Sequence, residues 1–212
     1  MFSFLKERPL MTSGYQPTNH SCRIVLTGGP GGGKTTAADL LRREIGDEIV
    51  IVPEAATMLF RGGFPRSHEP HAKRAAQRAI FHVQRNLEDV YSWLYSDRIL
   101  LCDRGTVDSS VYWPQIDGDF FTSVGTTVTQ ELNRYSSVIF FESAAVGGLD
   151  IEGGNPVRTE DIAEAQELDR KLHGVWSQHP NFYYLPHQKS FFQKLDTALK
   201  IMQKIINGRG AA

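Results

Sequence analysis

Residues 23–39 read RIVLTGGPGGGKTTAAD, and the reading of this stretch decides the fold. Ile24, Val25 and Leu26 form a short apolar run of β-rich character, Gly28 to Gly33 form a loop, and a helix-compatible segment begins at Lys34. The spacing Gly28-x-x-x-x-Gly33-Lys34-Thr35 is a complete Walker A loop in its strand, loop, helix context. Glycine tolerates positive φ, so the loop can turn its N–H groups inward as a nest for phosphate, and the helix behind it adds a positive dipole end. The expected occupant is the polyphosphate of a nucleoside triphosphate, ATP or GTP, held by Gly29, Pro30, Gly31, Gly32, Gly33, Lys34, Thr35 and Thr36. Lys34 would bring fixed positive charge to the β and γ phosphates, and the Thr35 hydroxyl would be a Mg²⁺ ligand. The bland alternative is a glycine-rich turn that binds nothing; the matching spacing and flanks argue against it.

Composition bounds the rest. A chain of 212 residues suits one ordinary domain, and 41% hydrophobic with 22% charged residues is neither a disordered nor a membrane composition. The net charge is −1 with no long basic run, which leaves a nucleic-acid partner without electrostatic support. Cys22 and Cys102 form neither a disulfide framework nor a metal motif, so a reducing cytoplasmic compartment is expected. No apolar run approaches the roughly 18 residues of a membrane helix, so no membrane insertion is expected.

Beyond the loop, helical periods alternate with apolar runs. Residues 1–21 are polar with Pro9 and Pro17 and read as a tail, 22–207 as a single domain, and 208–212 as a second tail. Strands are expected at 48–52 (EIVIV), 98–102 (RILLC), 137–141 (SVIFF) and 182–185 (FYYL). Helices are expected over 35–45, closed by Gly46, over 55–60, and from Pro70 to about residue 96. In that long helix Ala76, Ile80, Val83, Leu87, Val90 or Tyr91, and Leu94 form the apolar stripe. Further helices are expected over 106–113, 125–135, from Thr159 as N-cap, and over 190–206. Strands separated by crossover helices predict an α/β fold, a parallel sheet with helices on both faces. Ligands bind beyond the carboxyl ends of such strands, which gathers the loop, Glu54, Asp103, Arg104 and the segment after Phe141 onto one rim.

On that rim Asp103, after the buried run 99–102, stands where a Walker B aspartate stands and is the expected second Mg²⁺ ligand; the alternative is a turn or capping aspartate. Arg104 follows where motor ATPases usually carry a second acid, and a cation there suits neutralising a transferring phosphoryl group. Glu54 could take a proton from an acceptor hydroxyl, or cap the helix after it. Arg158 precedes a helix in a glycine-containing stretch, where it could close over the phosphates as part of a lid at about 144–160, or remain solvated. Gln84 and Glu88, one turn apart and off the apolar stripe, read on pattern alone as wet surface before acceptor recognition. Tyr112, Trp113, Phe120 and Phe121 could stack on a ring but default to core. His68, Glu69 and His71 have only proximity to suggest a metal.

Taken together, Gly28 to Thr36, Pro53-Glu54-Ala55-Ala56, Gln84 with Glu88, Asp103-Arg104-Gly105 with Asp108, and Asn155-Pro156-Val157-Arg158-Thr159-Glu160 resemble the P-loop AAA-type ATPase/kinase domain shared by NadR and the TRPL translocation defect protein. The resemblance implies a nucleotide-binding core related to nucleoside kinases, with sheet order 2-3-1-4-5 and a kinase-like lid. It strengthens Glu54, Gln84 and Arg158 as site residues and leaves the acceptor open. The expected activity is transfer of the γ-phosphoryl of ATP or GTP to a hydroxyl of a nucleoside-like small molecule, with Lys34, Glu54, Asp103, Arg104 and Arg158 as the catalytic set. The alternative is a regulatory or trafficking protein that switches with nucleotide state. A Ras-like switch would want Asp-x-x-Gly, whereas Asp103 has Gly at 105, and Gln193-Lys194-x-Asp196 imitates a guanine-reading motif inside a helix.

Overall fold

The computed structural model describes residues 22–114, 116, 118–147, 161–188 and 190–209. Strands β1 (Arg23–Thr27), β2 (Ile49–Val52), β3 (Ile99–Asp103), β4 (Ser137–Phe141) and β5 (Phe182–Leu185) form one sheet in the order β2-β3-β1-β4-β5. Every neighbouring pair is parallel, with Leu26 beside Asp103 on one side and Ile139 on the other. The helices are α1 (Lys34–Ile45), α2 (Ala55–Arg61), α3 (Pro70–Leu94), α4 (Asp108–Val111), α5 (Phe120–Ser123), α6 (Val128–Leu132), α7 (Ile162–Trp176) and α8 (Phe191–Arg209).

Strand alternation divides the core between the two faces of the sheet. Ile24, Leu26, Ile49, Leu101, Ile139 and Phe141 meet Ala37, Ala38 and Leu41 of α1 and Ala198 and Met202 of α8. Val25, Val52, Leu100, Cys102, Val138 and Phe140 meet Leu87 and Tyr91 of α3 and Leu172 and Trp176 of α7. Both cysteines are free and buried. Among the described residues no helix is long and apolar enough to cross a membrane.

The expected strands form within a residue of their predicted ends, whereas several helices differ. The segments 106–113 and 125–135 shorten to α4 and α6, the latter set by a capping box between Thr127 and Gln130. Helix α5 arises where no element was expected, because Asp119 caps it and Phe120 is buried against Phe81 and Trp113. Asp161 caps α7, its side chain accepting from the Glu164 N–H at 2.7 Å, and Thr159, the expected cap, lies outside the described residues. The stripe of α3 stays wet at its far end, where Val90 and Leu94 are 51% and 67% exposed.

The loop needs glycine at its first position. Gly28 has φ 129°, and a Cβ there would lie 2.0 Å from the Phe141 carbonyl oxygen. Gly28→Ala should therefore destabilise the fold by about 3 kcal/mol, read from denaturant unfolding midpoints at constant m.

Candidate functional site

A parallel sheet points all its carboxyl ends one way, so segments distant in sequence meet at one rim. The glycine-rich loop leaves β1, Glu54 follows β2, Asp103 ends β3, and Glu142 and Ser143 follow β4.

At the loop, Lys34 is 3% exposed and its Nζ donates to the Gly29 carbonyl oxygen at 2.6 Å. The Thr35 hydroxyl donates to Asp103 Oδ2 at 2.7 Å. Burial, then the Glu54 charge, pushes the Asp103 carboxyl up from the ordinary aspartate range, while Thr35, Lys34 and Arg104 pull it back. A hydroxyl and a buried carboxylate oxygen in contact are a donor set that fits a hard, oxygen-seeking cation such as Mg²⁺.

Arg104 is the hub of the rim. Its φ of 69° is the single positive value at a non-glycine position among the described residues, and its N–H donates to the Leu26 carbonyl oxygen at 3.0 Å. From that turn its Nε donates to Glu54 Oε1 at 2.7 Å, and its Nη1 donates to Asp108 Oδ2 at 2.7 Å and to the Gly28 carbonyl oxygen at 3.3 Å. Burial works against the cation, but Tyr112, Glu54 and Asp108 outweigh it and hold its pKa well above the ordinary arginine value. Asp108, to which the sequence reading gave no role, also accepts from the Thr27 hydroxyl at 2.9 Å and the Trp176 indole N–H at 2.6 Å. Its sequence signal was its position four residues after Arg104. Removing it takes from a buried cation one of its two carboxylates and leaves the Thr27 and Trp176 donors without this acceptor. Asp108→Ala should therefore cost about 3–5 kcal/mol, measurable by chemical denaturation.

Gln84 and Glu88 correct the wet-surface reading, since they are 3% and 0% exposed. Gln84 Oε1 accepts from the Ala55 N–H at 3.1 Å, and its Nε2 donates to Glu88 Oε1 at 3.3 Å and to the Arg104 carbonyl oxygen at 3.4 Å. Glu88 accepts from the Tyr135 hydroxyl at 2.7 Å and from Arg134 Nη2 at 3.0 Å. Gln84 is therefore a strut that ties α3 to the Arg104 turn, and Glu88 ties the same helix to Arg134 and Tyr135 before β4. A strip of polar residues on one helix face looks the same in sequence whether water or a second wall of protein covers it.

The loop is also gripped from α7. Asp169 Oδ1 accepts from the N–H groups of Gly29 and Ser143, at 2.7 and 2.8 Å, and the Ser143 hydroxyl donates to the Pro30 carbonyl oxygen. Burial pushes the Asp169 carboxyl up, and the two N–H groups pull it down. Asp169 was invisible to motif reading because it sits inside an amphipathic helix.

Beside the loop a cleft opens, enclosing about 1020 Å³ with the solvent at its mouth. Pro30, Glu54 and Arg104 line it together with Phe60, Gln77 and Tyr112. Tyr112 thus separates from Trp113 and Phe120, which are buried together. The remaining expectations resolve simply. Glu69 is the N-cap of α3, accepting from the His71 and Ala72 N–H groups. Lys194 donates to the Glu142 carbonyl oxygen at 2.6 Å, and Asp196 pairs with Lys200, so the guanine-like string is absorbed by structural contacts. Arg158 and the stretch 148–160 lie outside the described residues.

The geometry gathers Lys34, Thr35, Glu54, Asp103 and Arg104 at one rim of the sheet, and of these Glu54 and Arg104 also line the cleft, an arrangement able to hold a polyphosphate beside a carboxylate at the cleft wall. Comparison with known proteins agrees with the architecture. The structure of deoxyadenosine kinase from M. mycoides with bound dATP superposes with a TM-score of 0.62 at 14% identity, covering 87% of this chain and 98% of that one. No curated protein matches the chain. The family model described as AAA domain matches residues 23–194, most of the sequence. The chain belongs to this AAA domain family of P-loop proteins.

Proposed function

We propose that the protein is a Mg²⁺-dependent phosphotransferase that moves the γ-phosphoryl group of ATP or GTP to a hydroxyl of a nucleoside-like small molecule. The observation that carries this is the continuity of the cleft: Pro30 of the loop, Glu54 and Arg104 line the same cavity as Phe60 and Tyr112, so a phosphoryl donor and a ring-bearing acceptor would meet at Glu54. The deoxyadenosine kinase of the same fold, solved with dATP, and the resemblance to the NadR kinase domain support this reading.

In this mechanism the loop amides and Lys34 hold the triphosphate, and Thr35 with Asp103 would hold Mg²⁺, which screens charge on the phosphates. Glu54 accepts the proton of the acceptor hydroxyl as its oxygen attacks the γ-phosphorus. The bond from that phosphorus to the β–γ bridging oxygen breaks, and the diphosphate leaves. Arg104 holds Glu54 in place through its Nε bond. Arg158 would add a second guanidinium to the transition state. Positioning and electrostatics supply most of the rate. Turnover with a panel of nucleosides and both triphosphates tests the proposal: transfer to one acceptor is expected. Tight triphosphate binding with no transfer to any acceptor would overturn it in favour of a nucleotide-dependent switch.

A further inference from the structure

Asp169 poses a physical question, because a carboxylate against a loop built for anions repels its ligand unless it does something the loop needs. It is 4% exposed and reaches the loop from 140 residues away. One oxygen takes both the Gly29 and Ser143 N–H groups, while the carbonyl of the same Gly29 is taken by Lys34. The packing is close: a Cβ on Gly29 would lie 2.6 Å from Asp169 Oδ1 and 2.7 Å from its Cβ. The Ser143 hydroxyl holds the next residue, Pro30, by its carbonyl oxygen. Gly29 is thus held by the protein itself at both its N–H and its carbonyl.

We infer that Asp169 is a positioning residue for phosphate binding: its Oδ1 pins the first turn of the glycine-rich loop to the end of β4, so that the loop meets a polyphosphate already shaped. The inference rests on the reading of this loop as a triphosphate site. It differs from that reading in assigning the shape of the loop to a residue of α7 outside the motif. Hydrogen bonds to charged groups contribute about 1.5–3 kcal/mol, which corresponds to roughly tenfold to hundredfold in affinity. The effect should be general to phosphate chains and independent of the base they carry. It should also leave the acceptor side of the cleft unmoved.

The test uses the full chain with Mg²⁺ and two probes, inorganic tripolyphosphate and ATP, in calorimetric titrations, with melting temperature recorded for each variant. Asp169→Ala should weaken both probes about tenfold or more, and in turnover should raise the KM for triphosphate without moving the KM for the acceptor. Asp169→Asn keeps a carbonyl oxygen for the two N–H groups and should bind within about threefold of wild type. An alanine variant that binds tripolyphosphate as wild type does would overturn the inference. So would an asparagine variant as weak as alanine, because charge and not the accepting oxygen would then be the requirement. Should the alanine variant not fold, amide hydrogen exchange of wild type decides: Gly29 should be slow to exchange with and without tripolyphosphate, and fast exchange without it overturns the inference. Wild type that binds no tripolyphosphate, with Gly29 still protected, would instead defeat the reading of the loop and remove the role with it.

Discussion

Lys34→Ala is expected to lower triphosphate turnover by about a hundredfold to a thousandfold, the usual loss when one preorganised donor to developing phosphate charge is removed. Lys34 is nearly buried, and its ammonium group is held against the Gly29 carbonyl oxygen at 2.6 Å, so the charge is already aimed at the loop interior. Exchanging that bond for one to a phosphate oxygen costs little reorganisation. Alanine removes both the charge and the Gly29 contact, and affinity for triphosphate should fall far more than affinity for the nucleoside acceptor. Titration of ATP and of acceptor into the same folded variant measures the difference; unchanged triphosphate binding would count against the phosphate site. Lys34→Arg is not expected to rescue it, since the broader planar guanidinium does not fit where a compact ammonium lies.

Glu54→Gln should be the second large loss, about a hundredfold to ten-thousandfold in kcat, with triphosphate affinity near wild type. The change is conservative in shape: the glutamine carbonyl can still accept from Arg104 Nε, whose bond to Glu54 is 2.7 Å, so the rim should keep its geometry. What disappears is a group able to accept a proton from the attacking hydroxyl. The discriminating measurement is a burst or single-turnover experiment at saturating triphosphate. A variant with wild-type kcat would move the proton to water or to another group and reduce Glu54 to an anchor for Arg104. Paired with the lysine variant, the result separates phosphate holding from proton acceptance.

Much of this site was legible in the chain itself. The loop announces itself because its chemistry is local: six residues of backbone, a lysine and a threonine must be contiguous to surround one phosphate, so spacing alone identifies them. Asp103 was legible for a related reason, since a buried strand of Ile99 to Cys102 delivers its next residue to the rim of a parallel sheet. Gln84 and Glu88 were misread because the pattern of α3 reports only that one face is apolar. Whether water or the β3–α4 turn covers the polar strip depends on where that turn falls in space. Asp108 and Asp169 show the same limit, each becoming informative through partners 68 and 140 residues away.

The sequence by itself determined the α/β class, the strands, and the glycine-rich loop proposed to hold phosphate, because strand periodicity and a nest of N–H groups are properties of neighbours along the chain. Only the tertiary structure decided that Arg104 links Glu54 to Asp108, that Gln84 is a strut, and that Asp169 grips Gly29. Those are pairings between buried charges and polar groups, and burial comes from chain segments that the local pattern does not name. A carboxylate on a helix is surface or keystone according to what the fold lays against it.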